Sequence, residues 1–262
     1  MDGQHFDLKE GVYFQKGLPR NTEFERKYFP IREKERRIYS DEIVRRLPEI
    51  ELSHPHCLEW KLRKNSLRKL LNYLNKRKIN MVLDVGCGNG WMSGHLAECT
   101  SNVAAIDRNE VELKQAARVF ANHKNIKFIY GDVLNNPFQQ EKLFDLVFLS
   151  SSIQYFPDLS KLIRSLQNIL STEGEIHIID SHLYITETRV NAQQRSATYF
   201  DSLGFAGLDN YYFHHCWSDL KPFPYQLLYD PRLFLNKFKR FFQKDRSPFP
   251  WIVIPAVSNG EK

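Results

Sequence analysis

Val82-Leu83-Asp84-Val85-Gly86-Cys87-Gly88-Asn89-Gly90 carries an apolar run with one acidic residue directly into three alternate glycines. The run predicts a buried parallel strand. The glycines predict a sharp turn into a helix, because a tight turn needs backbone angles that a Cβ would forbid and because the main chain must pass close to a ligand. At the C-terminal end of a strand in an open α/β sheet, such a turn forms one wall of a ligand crevice.

Outward from this turn, strand signals recur near 103–106, 126–130, 144–149 and 175–180, separated by helical patterns near 91–99, 110–122 and 158–171. Strands alternating with helices imply parallel βαβ units with right-handed crossovers. Upstream, Ser40-Asp41-Glu42 resembles a helix start and Pro48 its stop, so residues 1–57 read as a helical N-terminal extension able to act as a lid. Downstream, 184–203 and 231–244 look helical, while 210–217 and Trp251-Ile252-Val253-Ile254 look like strands. Two such strands would complete a seven-stranded, mostly parallel, doubly wound Rossmann-like α/β sheet. The expected organisation is one domain over 58–262 with additions at 183–208 and 218–248.

Composition narrows the class. The 262 residues are 42% hydrophobic, enough for a substantial core, and no segment approaches the roughly 20 uninterrupted apolar residues of a membrane span. The amino-terminal MDGQHFDLKE lacks the layout of a secretory signal, so a cytoplasmic protein is expected. Cys57, Cys87, Cys99 and Cys216 have no CxxC spacing and read as free thiols rather than as zinc ligands or disulfides. The net charge of +6 sits mainly in 26–46, 61–78 and 237–246, where the first two stretches also carry glutamates or leucines at helical spacing. That pattern favours solvated helix faces over a nucleic-acid track.

A second acid follows at the end of Val103-Ala104-Ala105-Ile106-Asp107, 23 positions after Asp84. A carboxylate there accepts hydrogen bonds from vicinal ribose hydroxyls. Nicotinamide-dependent enzymes share this feature, but their glycine pattern is GxGxxG and this one is GxGxG. Asp84 beside the glycines suits a ligand ammonium better than a pyrophosphate. Lys127-Phe128-Ile129-Tyr130-Gly131-Asp132-Val133 then ends a strand in Gly-Asp, and Phe144-Asp145-Leu146-Val147-Phe148-Leu149-Ser150 follows as the next strand.

Over about residues 80–180, these motifs in this order resemble the class I S-adenosylmethionine-dependent methyltransferases. The resemblance implies S-adenosyl-L-methionine as cofactor and S-adenosyl-L-homocysteine as product. It implies that Asp84 positions the methionine ammonium while Gly86, Cys87, Gly88 and Gly90 let the backbone pass beneath the cofactor. Asp107 would hold the ribose, Asp132 the adenine amino group and Val133 the adenine ring, with Ser150 and Ser151 at the methionine end. Arg108 stands where the family often has an apolar residue against adenine; a guanidinium can stack there too.

Periodicity adds Arg63, the one charged residue on the stripe 60, 63, 67, 70, 71 and 74, as a partner for the cofactor carboxylate. No metal is required for transfer from a sulfonium. Acceptor specificity in the family commonly enters after the fourth strand, here Ser150-Ser151-Ser152-Ile153-Gln154-Tyr155-Phe156-Pro157-Asp158. This segment lacks the Asn-Pro-Pro-aromatic or Asp-Pro-Pro-aromatic tetrapeptide of many nucleic-acid base methylases, and Gln154-Tyr155 replace a histidine-containing segment of many small-molecule members. Tyr155, His182 and one of His214 and His215 are the candidates for acceptor chemistry, whereas His177 reads as core. The expected function is methyl transfer to oxygen or nitrogen of a small molecule, such as a saccharide or secondary metabolite. The alternatives are an RNA methyltransferase and a non-catalytic S-adenosylmethionine-binding regulator. Residues 183–208, like the extension, are placed to cover the acceptor. Leu233, Phe234, Phe238, Phe241 and Phe242 interleave with Lys237, Lys239, Arg240 and Lys244, giving a basic amphipathic helix suited to a peripheral membrane contact or a phosphorylated acceptor. No residue pattern bears on oligomeric state.

Overall fold

The structure, a computed structural model, describes residues 5–20, 22–138, 143–242 and 247–257, without the side chains of 239–242. The chain opens on two short strands, β1 (Phe6–Lys9) and β2 (Val12–Gln15), followed by helices α1 (Glu23–Lys34), α2 (Asp41–Arg46) and α3 (Cys57–Leu74). Strand and helix then alternate through β3 (Met81–Val85), α4 (Trp91–Cys99), β4 (Asn102–Asp107), α5 (Glu110–Val119), β5 (Ile126–Tyr130), β6 (Phe144–Ser150), α6 (Leu159–Gln167) and β7 (Leu170–Ile179). The chain continues with α7 (Thr186–Ser202), β8 (Gln226–Tyr229), α8 (Phe234–Phe242) and β9 (Trp251–Pro255).

The strands form one sheet in the order β1-β2-β5-β4-β3-β6-β7-β9-β8. Strands β2 to β7 are mutually parallel where they pair, and β9 runs antiparallel to both β7 and β8. β3 lies at the point where the strand order reverses, with β4 on one side and β6 on the other. In an open sheet that reversal leaves a crevice outside the C-terminal strand ends. Alternate strand residues feed two apolar layers: Val82 and Leu146 pack with α3, α4 and α5, whereas Leu83, Val85 and Val147 pack with α6. The stripe of α3 buries Trp60, Leu67, Leu70 and Leu74 in the first layer. His177 is a core residue, as its position in β7 predicts: its Nδ1 accepts from Trp251 Nε1 at 3.0 Å, and its Nε2 lies 3.1 Å from Glu175.

The doubly wound architecture agrees with the sequence reading, but two elements do not. Six of the seven expected strands are present as β3, β4, β5, β6, β7 and β9, β8 takes the place of the seventh, and the β1–β2 hairpin extends the sheet to nine. Residues 1–57 are therefore not simply helical. Glu10 (φ 50°) and Gly11 (φ 78°) are both left-handed, as a two-residue hairpin turn of the tighter primed kind requires, and Phe6, Val12 and Phe14 are buried. The second correction concerns 210–217, which is not a strand. Leu208–Tyr211 forms a 3-10 turn, and only an isolated bridge joins Tyr184 to Cys216. Tyr211 and Tyr212 pack instead around Ile31, Phe200 and Leu208, and that aromatic packing outweighs the β propensity of the segment. The missing strand is β8. Among the described residues no helix is long and apolar enough to cross a membrane.

Candidate functional site

The turn after β3 is held from two sides. Gly86 has φ 74°, and a Cβ built on it would lie 2.5 Å from Ser152 Cβ. Gly90 has φ 75°, and its Cβ would lie 2.8 Å from both Ala116 of α5 and Phe128 of β5. The first glycine thus lets β6 close under the turn, and the last lets α4 seat against α5. Gly90 serves this packing and is not part of the cavity wall.

A cavity of about 1010 Å³ opens above the turn. Its wall includes Asp84, Gly86, Cys87 and Gly88 from the turn, Asp107 and Arg108 after β4, and Asp132 and Val133 after β5. Ser150 and Ser151 at the end of β6, Arg63 on α3, and Tyr155 complete the predicted residues that it brings together. The cavity is large enough for a nucleoside-sized ligand and a second small molecule.

Asp107 is fixed by backbone donors: Gly88 N–H reaches Oδ2 and Asn109 N–H reaches Oδ1, each at 2.8 Å. Asp132 accepts from Leu134 N–H at 2.9 Å and so also caps the following 3-10 turn. Its own N–H donates to Gln15 Oε1 at 3.0 Å, while Gln15 Nε2 donates to the carbonyl of Asn135 at 3.1 Å. The hairpin thereby clips the loop after β5. Ser151 Oγ donates to the Asp180 carbonyl at 2.7 Å, whereas Ser150 Oγ is buried with no hydrogen-bond partner among the described residues. An orphaned hydroxyl in the wall suits a polar ligand group.

Asp84 is 1% exposed and accepts from Ser93 Oγ at 2.6 Å. Burial raises its carboxyl to about 6, against the Ser93 hydrogen bond. Glu112 of α5 also lines the cavity, and burial raises its carboxyl to about 7, with Arg32 opposing and Asp107 adding to the shift. Burial pushes Cys87 well up as well, so the turn carries a neutral thiol. For both carboxyls the native state holds the proton more tightly than the unfolded chain. Their contribution to stability is complete below about pH 4 and is lost as pH rises through 6 and then 7. A cationic ligand beside Asp84 reverses this penalty. The affinity for S-adenosylmethionine is expected to rise with pH up to 6, by at most about tenfold per unit for one linked proton. Titration calorimetry at pH 5 and 7 checks it, and a flat profile would remove Asp84 from contact with the ligand's charge.

Arg63 lines the cavity without being free. Its Nε and Nη2 donate to Glu59 Oε1 at 3.1 and 2.9 Å, and the guanidinium lies 5.2 Å over the Trp60 ring. Arg37 grips the same carboxylate at 2.9 and 2.7 Å. Burial opposes charge on Glu59, but the two guanidiniums outweigh it and hold the carboxyl at about 2. Arg37 Nε also lies 3.4 Å from Glu35, which Arg32 meets at 3.2 Å, so three guanidiniums against two carboxylates leave that corner net positive. Arg108 is turned into the N-terminal extension: Nη2 donates to the Pro19 carbonyl at 2.9 Å, Nε reaches Glu25 at 3.3 Å, and the guanidinium lies 5.4 Å over Tyr130.

The histidine candidates fall outside the cavity wall. His182 is exposed and packs on Tyr184 at 4.2 Å between ring centroids. His215 is buried, with Nε2 donating to the Ile153 carbonyl at 3.0 Å and Nδ1 3.9 Å from Asp219. His214 is occupied by Ser196 at 2.9 Å. These rings fasten the segment after β7, and none of them faces the crevice. The wall instead contains Phe24, Tyr28 and Arg32 of α1, Glu59 and Trp60 of α3, and Glu112, none of which the sequence reading singled out. The available signal was the helix start Thr22-x-x-Glu25, whose reciprocal hydrogen bonds form a capping box at the head of α1. Among the described residues, no group of three or more His, Cys, Asp or Glu is placed to hold a metal ion.

Comparison with known proteins accords with this geometry. A family described as "Methyltransferase domain" matches residues 76–220, from just before β3 to beyond α7. The chain belongs to that methyltransferase family, whose cofactor is S-adenosylmethionine. It is 32% identical over 108 residues to a malonyl-[acyl-carrier protein] O-methyltransferase of Erwinia billingiae, covering 41% of each chain. It is 34% identical over 109 residues to the chloroplastic tocopherol O-methyltransferase of Arabidopsis thaliana, covering 40% of this chain and 31% of that one. The matches thus span less than half of these relatives' lengths. Geranyl diphosphate C-methyltransferase from Streptomyces coelicolor shares the fold at a TM-score of 0.58 and 12% identity, over 92% of this chain and all of that one.

Proposed function

We propose that this chain transfers a methyl group from S-adenosylmethionine to oxygen or nitrogen of a small organic acceptor with a planar or apolar body. The observation that carries this reading is the aromatic wall of the cavity. Phe24 lies 5.3 Å from Tyr28, 5.9 Å from Tyr155 and 5.5 Å from Tyr211 between ring centroids, and Tyr28 meets Tyr155 at 5.8 Å. Edge and tilted contacts of this kind make an adaptable apolar surface with polar tips. Burial pushes the Tyr28 hydroxyl well up, so it stays protonated and donates rather than acting as a base. O-methylation of small or carrier-bound molecules by the two curated relatives supports the same reading.

In this proposal Asp107 binds the ribose hydroxyls, Asp132 and Val133 the adenine, and Asp84 with Ser150 the ammonium. The net positive corner around Arg37 and Arg63 faces the carboxylate. When bound, the cofactor supplies an electrophilic methyl on a sulfonium. The chain's own work is then to align the acceptor and exclude water.

Replacing Tyr155 by Ala is expected to lower kcat/KM for a methylated acceptor by at least about tenfold while S-adenosylhomocysteine affinity stays within about twofold. Equal loss of both would assign Tyr155 to the cofactor wall. For the function itself, the test is a tritiated-methyl assay against phenols, amines, saccharides and lipid-soluble quinols. Label appearing only in RNA would replace the proposal with its nucleic-acid alternative, and tight S-adenosylhomocysteine binding with no transfer would make the chain a binding protein.

A further inference from the structure

α8 presents its apolar arc to solvent, the reverse of what a helix in a globular domain does. Leu233 is 58% exposed, and on the helix itself Phe234, Leu235 and Phe238 are 78%, 67% and 56% exposed. The Phe234 and Phe238 rings stack with centroids 6.4 Å apart. At helical periodicity Phe234, Leu235 and Phe238 share one side of α8, while Asn236 and Lys237 take the other. A contiguous exposed apolar strip on an otherwise ordinary domain marks an interaction surface.

We propose that α8 docks this protein onto a membrane surface rich in anionic lipid. Charge decides between occupants. Residues 231–244 contain Arg232, Lys237, Lys239, Arg240 and Lys244 and no acidic residue. Arg232 is engaged by Asp230 at 2.8 Å and by the Trp217 ring, but Lys237 is exposed. Phenylalanine and leucine on one side with only basic charge on the other matches the boundary between acyl chains and negative headgroups. A partner groove that paired individual charges would favour a helix of mixed sign. α8 follows β8 after four residues and precedes β9 in the chain.

The test is co-sedimentation of the full chain with vesicles of phosphatidylcholine alone and of phosphatidylcholine with phosphatidylserine. Binding is expected only to the second, weakening as salt is raised. Joint Phe234→Ser and Phe238→Ser substitution should reduce partitioning by at least about tenfold, and Lys237→Glu by several-fold, with S-adenosylhomocysteine affinity unchanged in both. The proposal is overturned if the chain stays in the supernatant with both vesicles or if the phenylalanine variant partitions like the parent. Self-association that the same variant abolishes, with no vesicle binding, would instead make the arc a contact between copies.

Discussion

Asp107→Ala is expected to weaken S-adenosylhomocysteine binding by about 1.5–3 kcal/mol, on the order of ten- to a hundredfold, as measured by titration calorimetry. Two backbone donors, Gly88 N–H and Asn109 N–H, each at 2.8 Å, already hold the carboxylate in place. Each oxygen keeps a second acceptor direction, which is what a vicinal diol needs. Burial raises this carboxyl above its usual range, and the same backbone bonds oppose that shift. Asp107→Asn is informative because an amide nitrogen would then face a backbone N–H. It is expected to lose affinity despite its matching shape. Unchanged binding by a folded Asp107→Ala protein would remove the residue from the site.

Gly86→Ala should be the most disruptive single methyl in the crevice. Its φ of 74° costs an alanine about 1–2 kcal/mol, and the added carbon would lie 2.5 Å from Ser152 Cβ, where overpacking adds about 1–3 kcal/mol. Ser152 is not free to retreat, since its Oγ donates to the Val85 carbonyl at 2.8 Å. Calorimetry should show a melting temperature lower by on the order of 10 °C. Combining the change with Ser152→Gly should recover the steric part and leave the backbone part. A melting temperature within about a degree of the parent would mean that the turn has another conformation in solution.

Much of the fold was legible because long, periodic elements carry their own signal. β3 to β7 and the helices between them read directly, as did the glycine turn and the acids at successive strand ends. The hairpin was missed since its strands have four residues each and its turn uses Glu10 before Gly11 instead of asparagine or aspartate. Glu112 and Arg32 looked like ordinary polar positions on amphipathic helices. Only the tertiary fold brings both to the wall of one cavity. For His182 and His215, position near the strand ends suggested chemistry, but chain position does not fix ring direction, and both rings are spent on neighbours outside the crevice. The helix expected over 231–244 is α8, Phe234–Phe242; Gln243 and Lys244 lie outside the described residues, as do the side chains of Lys239, Arg240, Phe241 and Phe242.

The hairpin also sets a limit on how far this protein can be shortened. β2 runs alongside β5 from Val12 opposite Phe128 to Phe14 opposite Tyr130. A version beginning at residue 76, where the family match starts, would leave that flank of β5 as an open rail of unpaired amides and carbonyls. Such a rail invites strands from neighbouring molecules, so the trimmed protein is expected to polymerise where the longer one stays dispersed.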